Sequence, residues 1–139
     1  MRIVADTNII VSAFLWGGTP RRLLDAVQAR HCELFSSQAL VAELEEVLSR
    51  EKFSRQLSQT RFTPAFLLAR YTQLATLIVP ADVLVPELRD QDDVQVLACA
   101  MAARAEAIVS GDGDLHALGD FQGIPVLTPA QVLQRIPQG

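Results

Sequence analysis

The sequence is short of aromatic residues, lysine, cysteine and long apolar runs, and each shortage excludes something. One Trp, one Tyr and six Phe among 139 residues leave any core to aliphatic side chains. Lys52 is the only lysine, and eleven arginines complete the cations against sixteen acids, a formal net charge of −4. On its face that balance disfavours a nucleic-acid ligand, whose affinity comes from neutralised phosphates. Cys32 and Cys99 stand alone, without metal-ligand spacing, and a chain of this size needs no disulfide. Free buried thiols and a cytoplasmic location are the expectation. No apolar run approaches the roughly 18 residues of a membrane-spanning helix. The stretch IIVSAFLW is preceded by a single cation, Arg2, and by the polar break Asp6, Thr7 and Asn8, and no small-x-small cleavage site follows it. It reads as folded protein rather than a signal peptide.

Half of the residues are hydrophobic, as in an ordinary globular chain. With no repeats, low-complexity tracts or linkers, residues 1–139 are expected to form a single domain. RIVAD predicts a strand and TNIIVSAFLW a helix, which ends at Gly17 and Gly18. Thr19 and Pro20 open a second helix, PRRLLDAVQARH, and CELFSS a short strand. QALVAELEEVLSREKF carries Leu40, Leu44, Val47 and Leu48 on one helical face. A further helix starts at Thr63 and Pro64, and ATLIVP follows as a strand. VQVLACAMAAR is apolar almost all round, as a helix against a sheet should be. AEAIVSGDGDL predicts a strand ending in a tight turn, IPVL a last strand and TPAQVLQRI a closing helix. Strands alternate with helices throughout, so the expected fold is α/β, a three-layer α/β/α sandwich with a mainly parallel central sheet.

In such a fold the carboxyl ends of the strands share one edge, where ligands collect. Asp6 ends the first strand, Asp112 and Asp114 follow AIVS, and Asp90, Asp92 and Asp93 precede the apolar helix VQVLACAM. Glu43 borders the buried stripe of its helix between Leu40 and Val47, whereas Glu45 and Glu46 turn towards solvent. Each acid also has a local explanation, as a helix cap, a turn residue or plain surface. Their convergence has none, because carboxylates gathered on one edge repel by several kcal/mol per close pair. Arg89 is the only basic residue beside these loops, and His31 and His116 lie outside the acidic segments. A hard divalent cation, Mg²⁺ or Mn²⁺, is the better compensation, and phosphodiester hydrolysis the chemistry that goes with it.

VADTNIIVSAFLW, the helix acid in VAELEEVL, RDQDDVQVLACAM and IVSGDGDL together resemble the successive motifs of a PIN domain. More narrowly, with WGGTPRRLL after the first helix, the chain resembles the bacterial PIN-family toxin components of toxin–antitoxin pairs. The resemblance implies a Mg²⁺- or Mn²⁺-dependent endoribonuclease that acts on RNA, is held in check by an antitoxin protein and forms a homodimer. By matching motifs, Asp6, Glu43, Asp93 and Asp112 are the metal-binding catalytic acids, Asp114 an auxiliary, and Asn8 and Ser110 polar supports. Gln91 within RDQDD departs from the family's proline-containing pattern, so Asp90 and Asp92 compete with Asp93 for the ligand role. Asp93 is preferred, because Val96, Leu97 and Ala100 follow it at the spacing that keeps its face on the sheet, with Asp92 as the helix cap.

Setting aside Asp6, Glu43, Asp93, Asp112 and Asp114 leaves eleven acids against twelve bases, a surface close to neutral, which eases the objection from net charge. Arg50, Lys52, Arg55 and Arg61 in one stretch, and Arg21 and Arg22 in another, are candidates for following an RNA backbone, and Trp16 for a base or a partner protein. Asn8 stands where a haloacid-dehalogenase phosphatase needs a second aspartate, and no lysine follows a late strand as a receiver domain requires. A non-catalytic binding module and a DNA-cleaving nuclease remain the alternatives.

Overall fold

The computed structural model describes residues 1–136. The first apolar run forms β1 (Arg2–Ala5), and the chain turns at Asp6 into α1 (Thr7–Leu15). Next, α2 (Gly18–Gln28) begins two residues ahead of Pro20, with Gly17 as its cap at φ 76°. Pro20 then falls in the first turn, where a missing N–H costs nothing. β2 (Glu33–Ser36) leads to Ser37, the cap of α3 (Gln38–Ser49).

The single helix expected over 38–53 is instead two. Continuing the stripe of Leu44 and Leu48 would bring the charged Glu51 and Arg55 onto the core. The backbone extends at Arg50, and α4 (Glu51–Ser58) restarts with Leu57 buried and Phe53 packed on the core. α5 (Pro64–Leu74), capped by Thr63, runs into β3 (Ala75–Leu77).

α6 (Gln91–Ala103) starts earlier than VQVLACAM, and its cap is Asp90, not Asp92. After β4 (Ala107–Val109) the expected tight turn is extended by a short helix, α7 (Gly113–Leu118). β5 (Asp120–Phe121), also unforeseen, pairs antiparallel with β6 (Ile124–Leu127) across Gln122 and Gly123, both at positive φ as a two-residue hairpin turn requires. α8 (Pro129–Arg135) closes with a capping box between Thr128 and Gln131.

The sheet order is β3-β2-β1-β4-β6-β5, parallel except for β5. Chain order runs outward from β1 through β2 to β3 on one side, and on the other from β4 to β6, with β5 folded back outside β6 as the first limb of their hairpin. The boundary between β1 and β4 is therefore the switch point at which open α/β sheets form a crevice. Residues alternate between two cores. Ile3, Ala5, Ala107 and Val109 face the layer of α1 to α5 and α8, whereas Val4, Ile108 and Val126 face α6 and α7. This is the expected α/β/α sandwich. The segment from Ile78 to Leu88 runs over the outer side of α6, with Ala81 N–H bonded to the Ala98 carbonyl at 3.1 Å and Val85 and Leu88 buried. That cover explains why α6 is apolar nearly all round. Cys32 and Cys99 are free and buried, as expected, and no helix among the described residues is long and apolar enough to cross a membrane.

A buried polar pair joins α5 to the end of β2: the Tyr71 hydroxyl donates to Ser36 Oγ at 2.6 Å. Tyr71→Phe leaves that serine oxygen without its donor in a dry site. The expected loss is about 1–2 kcal/mol, read as a lower urea midpoint at unchanged slope.

Candidate metal centre

Asp6 emerges from β1 at the switch point. Its N–H donates to the Val109 carbonyl at 3.0 Å, carrying the β1–β4 ladder one residue past the strand. One carboxylate oxygen accepts from Ile9 N–H at 3.0 Å, capping α1, and the other accepts from the Ser110 hydroxyl. Both explanations of Asp6 are thus true, since the cap is also a buried carboxylate at the sheet edge. Ser110, fully buried at the end of β4, in turn accepts from Asp112 N–H at 2.9 Å. Asp112 caps α7, its Oδ1 accepting from Asp114 N–H at 2.7 Å and Leu115 N–H at 3.2 Å. Asp93, in the first turn of α6, is buried. Glu43, half-buried on α3, receives a hydrogen bond from the Thr7 hydroxyl.

One cleft is lined by Asp6, Thr7, Asn8, Glu43, Asp90, Asp92, Asp93, Val96 and Asp112, with no lysine, arginine or histidine among them. Asp93, Asp112 and Asp114 each offer a carboxylate oxygen within 4.8 Å of the others. The electrostatics follow from this crowding. Burial pushes the Glu43 carboxyl up from 4.5 to about 7, and Asp92, Asp90 and Asp6 add to it against the Thr7 hydrogen bond. Burial, then Asp112, Asp90, Asp6 and Asp114, push Asp93 from 3.8 to about 6. Burial also raises Asp6, against the hydrogen bonds from Ser110 and Ile9. A set of hard oxygen donors, desolvated and short of cations, fits a small divalent ion.

The residues singled out in the sequence are thereby gathered in one place: Asp6, Asn8, Glu43, Asp93 and Asp112 line the cleft, and Ser110 and Asp114 adjoin it. Asp90 and Asp92 also line it, but both are exposed, whereas Asp93 is buried. Asn8 is exposed, and the described bonds to the Asp6 carboxylate come from Ile9 and Ser110. The sequence reading passed over two residues. In the sequence Thr7 stands out only as part of a polar break and His116 only as a residue outside the acidic segments, yet Thr7 lines the cleft and the His116 Nε2 lies 2.5 Å from the Ser110 carbonyl. The basic stretch is partly committed to its own helices, through Arg50–Glu46 at 3.3 Å and Arg55–Glu51 at 2.7 Å.

A family model described as PIN domain matches residues 2–114. Among solved structures, the chain is similar to the crystal structure of VapBC2 from Rickettsia felis bound to a DNA fragment from their promoter. The TM-score is 0.62 and the identity 15%, over 92% of this chain and 98% of that one. No protein of curated function matches.

The raised carboxyls set the pH dependence of the metal-free protein. Glu43 and Asp93 keep their protons in the folded state up to about 7 and about 6 but release them near 4.5 and 3.8 when unfolded. Folded protein therefore binds more protons across that window, and its stability falls as pH rises from about 4 to about 7. Thermal melts in EDTA across this range check the slope, and a flat profile contradicts it. Asp93→Asn removes one repelling charge and is expected to stabilise the metal-free protein by ~1 kcal/mol at pH 7.5.

Proposed function

The chain belongs to the PIN-domain family, and from that premise we propose that it is a divalent-metal-dependent endoribonuclease, the toxin half of a toxin–antitoxin pair, acting as one nuclease unit over residues 1–139. The observation that carries this reading is the cleft at the β1–β4 boundary, where carboxylates from four separate helix starts and faces converge without a compensating lysine or arginine. Asp6, Glu43, Asp93 and Asp112 would hold Mg²⁺ or Mn²⁺, with Asp114 as auxiliary and Asn8 and Ser110 as supports. A bound divalent ion supplies Lewis-acid activation of water and neutralises charge at the attacked phosphate. The chain's own part is to hold its ligands still. Asp6 is fixed at both oxygens by the Ile9 amide and the Ser110 hydroxyl, and Asp112 is fixed by the first amides of α7. Thr7 lines the cleft beside Glu43 and opposes the rise of its carboxyl.

RNA is the proposed substrate. Outside the five site acids, the remaining eleven acids and twelve bases leave a nearly neutral surface that does not repel a phosphate backbone. The similarity to VapBC2 supports an antitoxin as protein partner. A homodimer and a cytoplasmic location complete the proposal.

Purified protein free of antitoxin is expected to cut RNA, and not DNA, in Mn²⁺ or Mg²⁺. Cutting should stop in EDTA and fall at least about 100-fold in Asp93→Asn, as the loss of a group acting directly on the reacting centre predicts. Cleavage of DNA instead would favour the DNA nuclease. A folded, Mn²⁺-binding protein that cuts none of structured RNA, single-stranded RNA or DNA would favour the non-catalytic module.

A further inference from the structure

We propose that His116 is a positioning residue for the cation site, a clasp that closes the loop carrying Asp112 and Asp114. The inference rests on the metal-site reading above and adds a residue outside the carboxylate set.

Ser110 ends β4 with most of its polar groups already committed. Its N–H donates to the Leu127 carbonyl on β6 at 3.0 Å, and its hydroxyl serves Asp6 and the Asp112 amide. The Ser110 carbonyl lies where the ladder runs out, and it is met by the His116 ring at 2.5 Å. A carbonyl only accepts, so Nε2 carries the proton and donates. His116 stands one turn after the cap residue Asp112, and helical side chains lean towards the N-terminus, which is how the ring reaches back past the acids to the strand.

The bond therefore closes residues 110–116 into a ring that contains both loop acids. The closure opposes two tendencies. Gly111 and Gly113 leave the loop backbone free to open, and repulsion among Asp93, Asp112 and Asp114, whose oxygens lie within 4.8 Å, drives it open. Within the loop, the caps from Asp112 to Asp114 and Leu115 are local bonds that move with it. Together with the Ser110 hydroxyl, the His116 bond ties the loop to the sheet. A cation binding to a pre-closed loop does not have to order it.

The test titrates Mn²⁺ into the full chain by calorimetry and follows amide exchange of residues 112–115 in the metal-free protein. His116→Leu keeps bulk and removes the donor. His116→Gln keeps an N–H that can reach. The leucine variant is expected to bind Mn²⁺ about tenfold more weakly, with faster exchange at 112–115, while glutamine stays within about twofold of the parent. His116→Asn, polar but too short, should behave as leucine does and answers the question if the leucine variant does not fold. Parent-like Mn²⁺ binding by the leucine and asparagine variants, or a glutamine variant as weak as leucine, overturns the clasp. Failure of the parent protein itself to bind Mn²⁺ overturns the metal-site reading, and the clasp with it.

Discussion

The constraint on which the rest of the site depends is the register of β1 against β4, fixed at its last rung by the Asp6 amide on the Val109 carbonyl. Two parallel strands that end together must also start their following helices together. The amino ends of those helices, with their unpaired amides and partial positive charge, then face the same crevice. Asp6 caps α1, Asp112 caps α7, Asp90 caps α6, and Asp93 lies in the first turn of α6. The carboxylates are thus tolerated in a cleft without lysine or arginine partly because helix amides face them. Capping and candidate chemistry are one arrangement rather than rival explanations.

That arrangement needs a rigid backing. Ile3, Val4, Ile108 and Val109 are fully buried behind the acids, and Leu97 and Ala100 of α6 are equally enclosed. Dense aliphatic packing of this kind resists the outward push of like charges, because relaxing it would open cavities in the core. The same closeness to apolar material removes water from Asp6, Glu43 and Asp93, and burial is the first cause of each raised carboxyl. Stability of the core and instability of the bare site have a common origin.

Most of this was legible in the sequence. Alternation of strands and helices predicted the sandwich, and the position of acids after strand-like runs predicted the shared edge. What could not be read locally fell into two kinds. Some elements are too short for periodicity to register, namely the two residues of β5 and the six of α7. Others depend on contacts distant in sequence. The break at Arg50 is set by which face of α4 must bury Leu57, and the place of Asp92 in the first turn of α6 follows from Asp90 taking the cap. His116 gave no signal as a single residue, because its meaning lies in a carbonyl six positions earlier.

The two margins of the sheet carry a consequence for how this chain meets others. β3 has three residues and β5 two, and β5 is an antiparallel flap on its neighbour. Neither margin presents enough unpaired backbone for a foreign strand to dock and extend the ladder, a standard defence against runaway stacking. What these margins offer a companion is therefore side chains, a language of shape and charge rather than of backbone rungs.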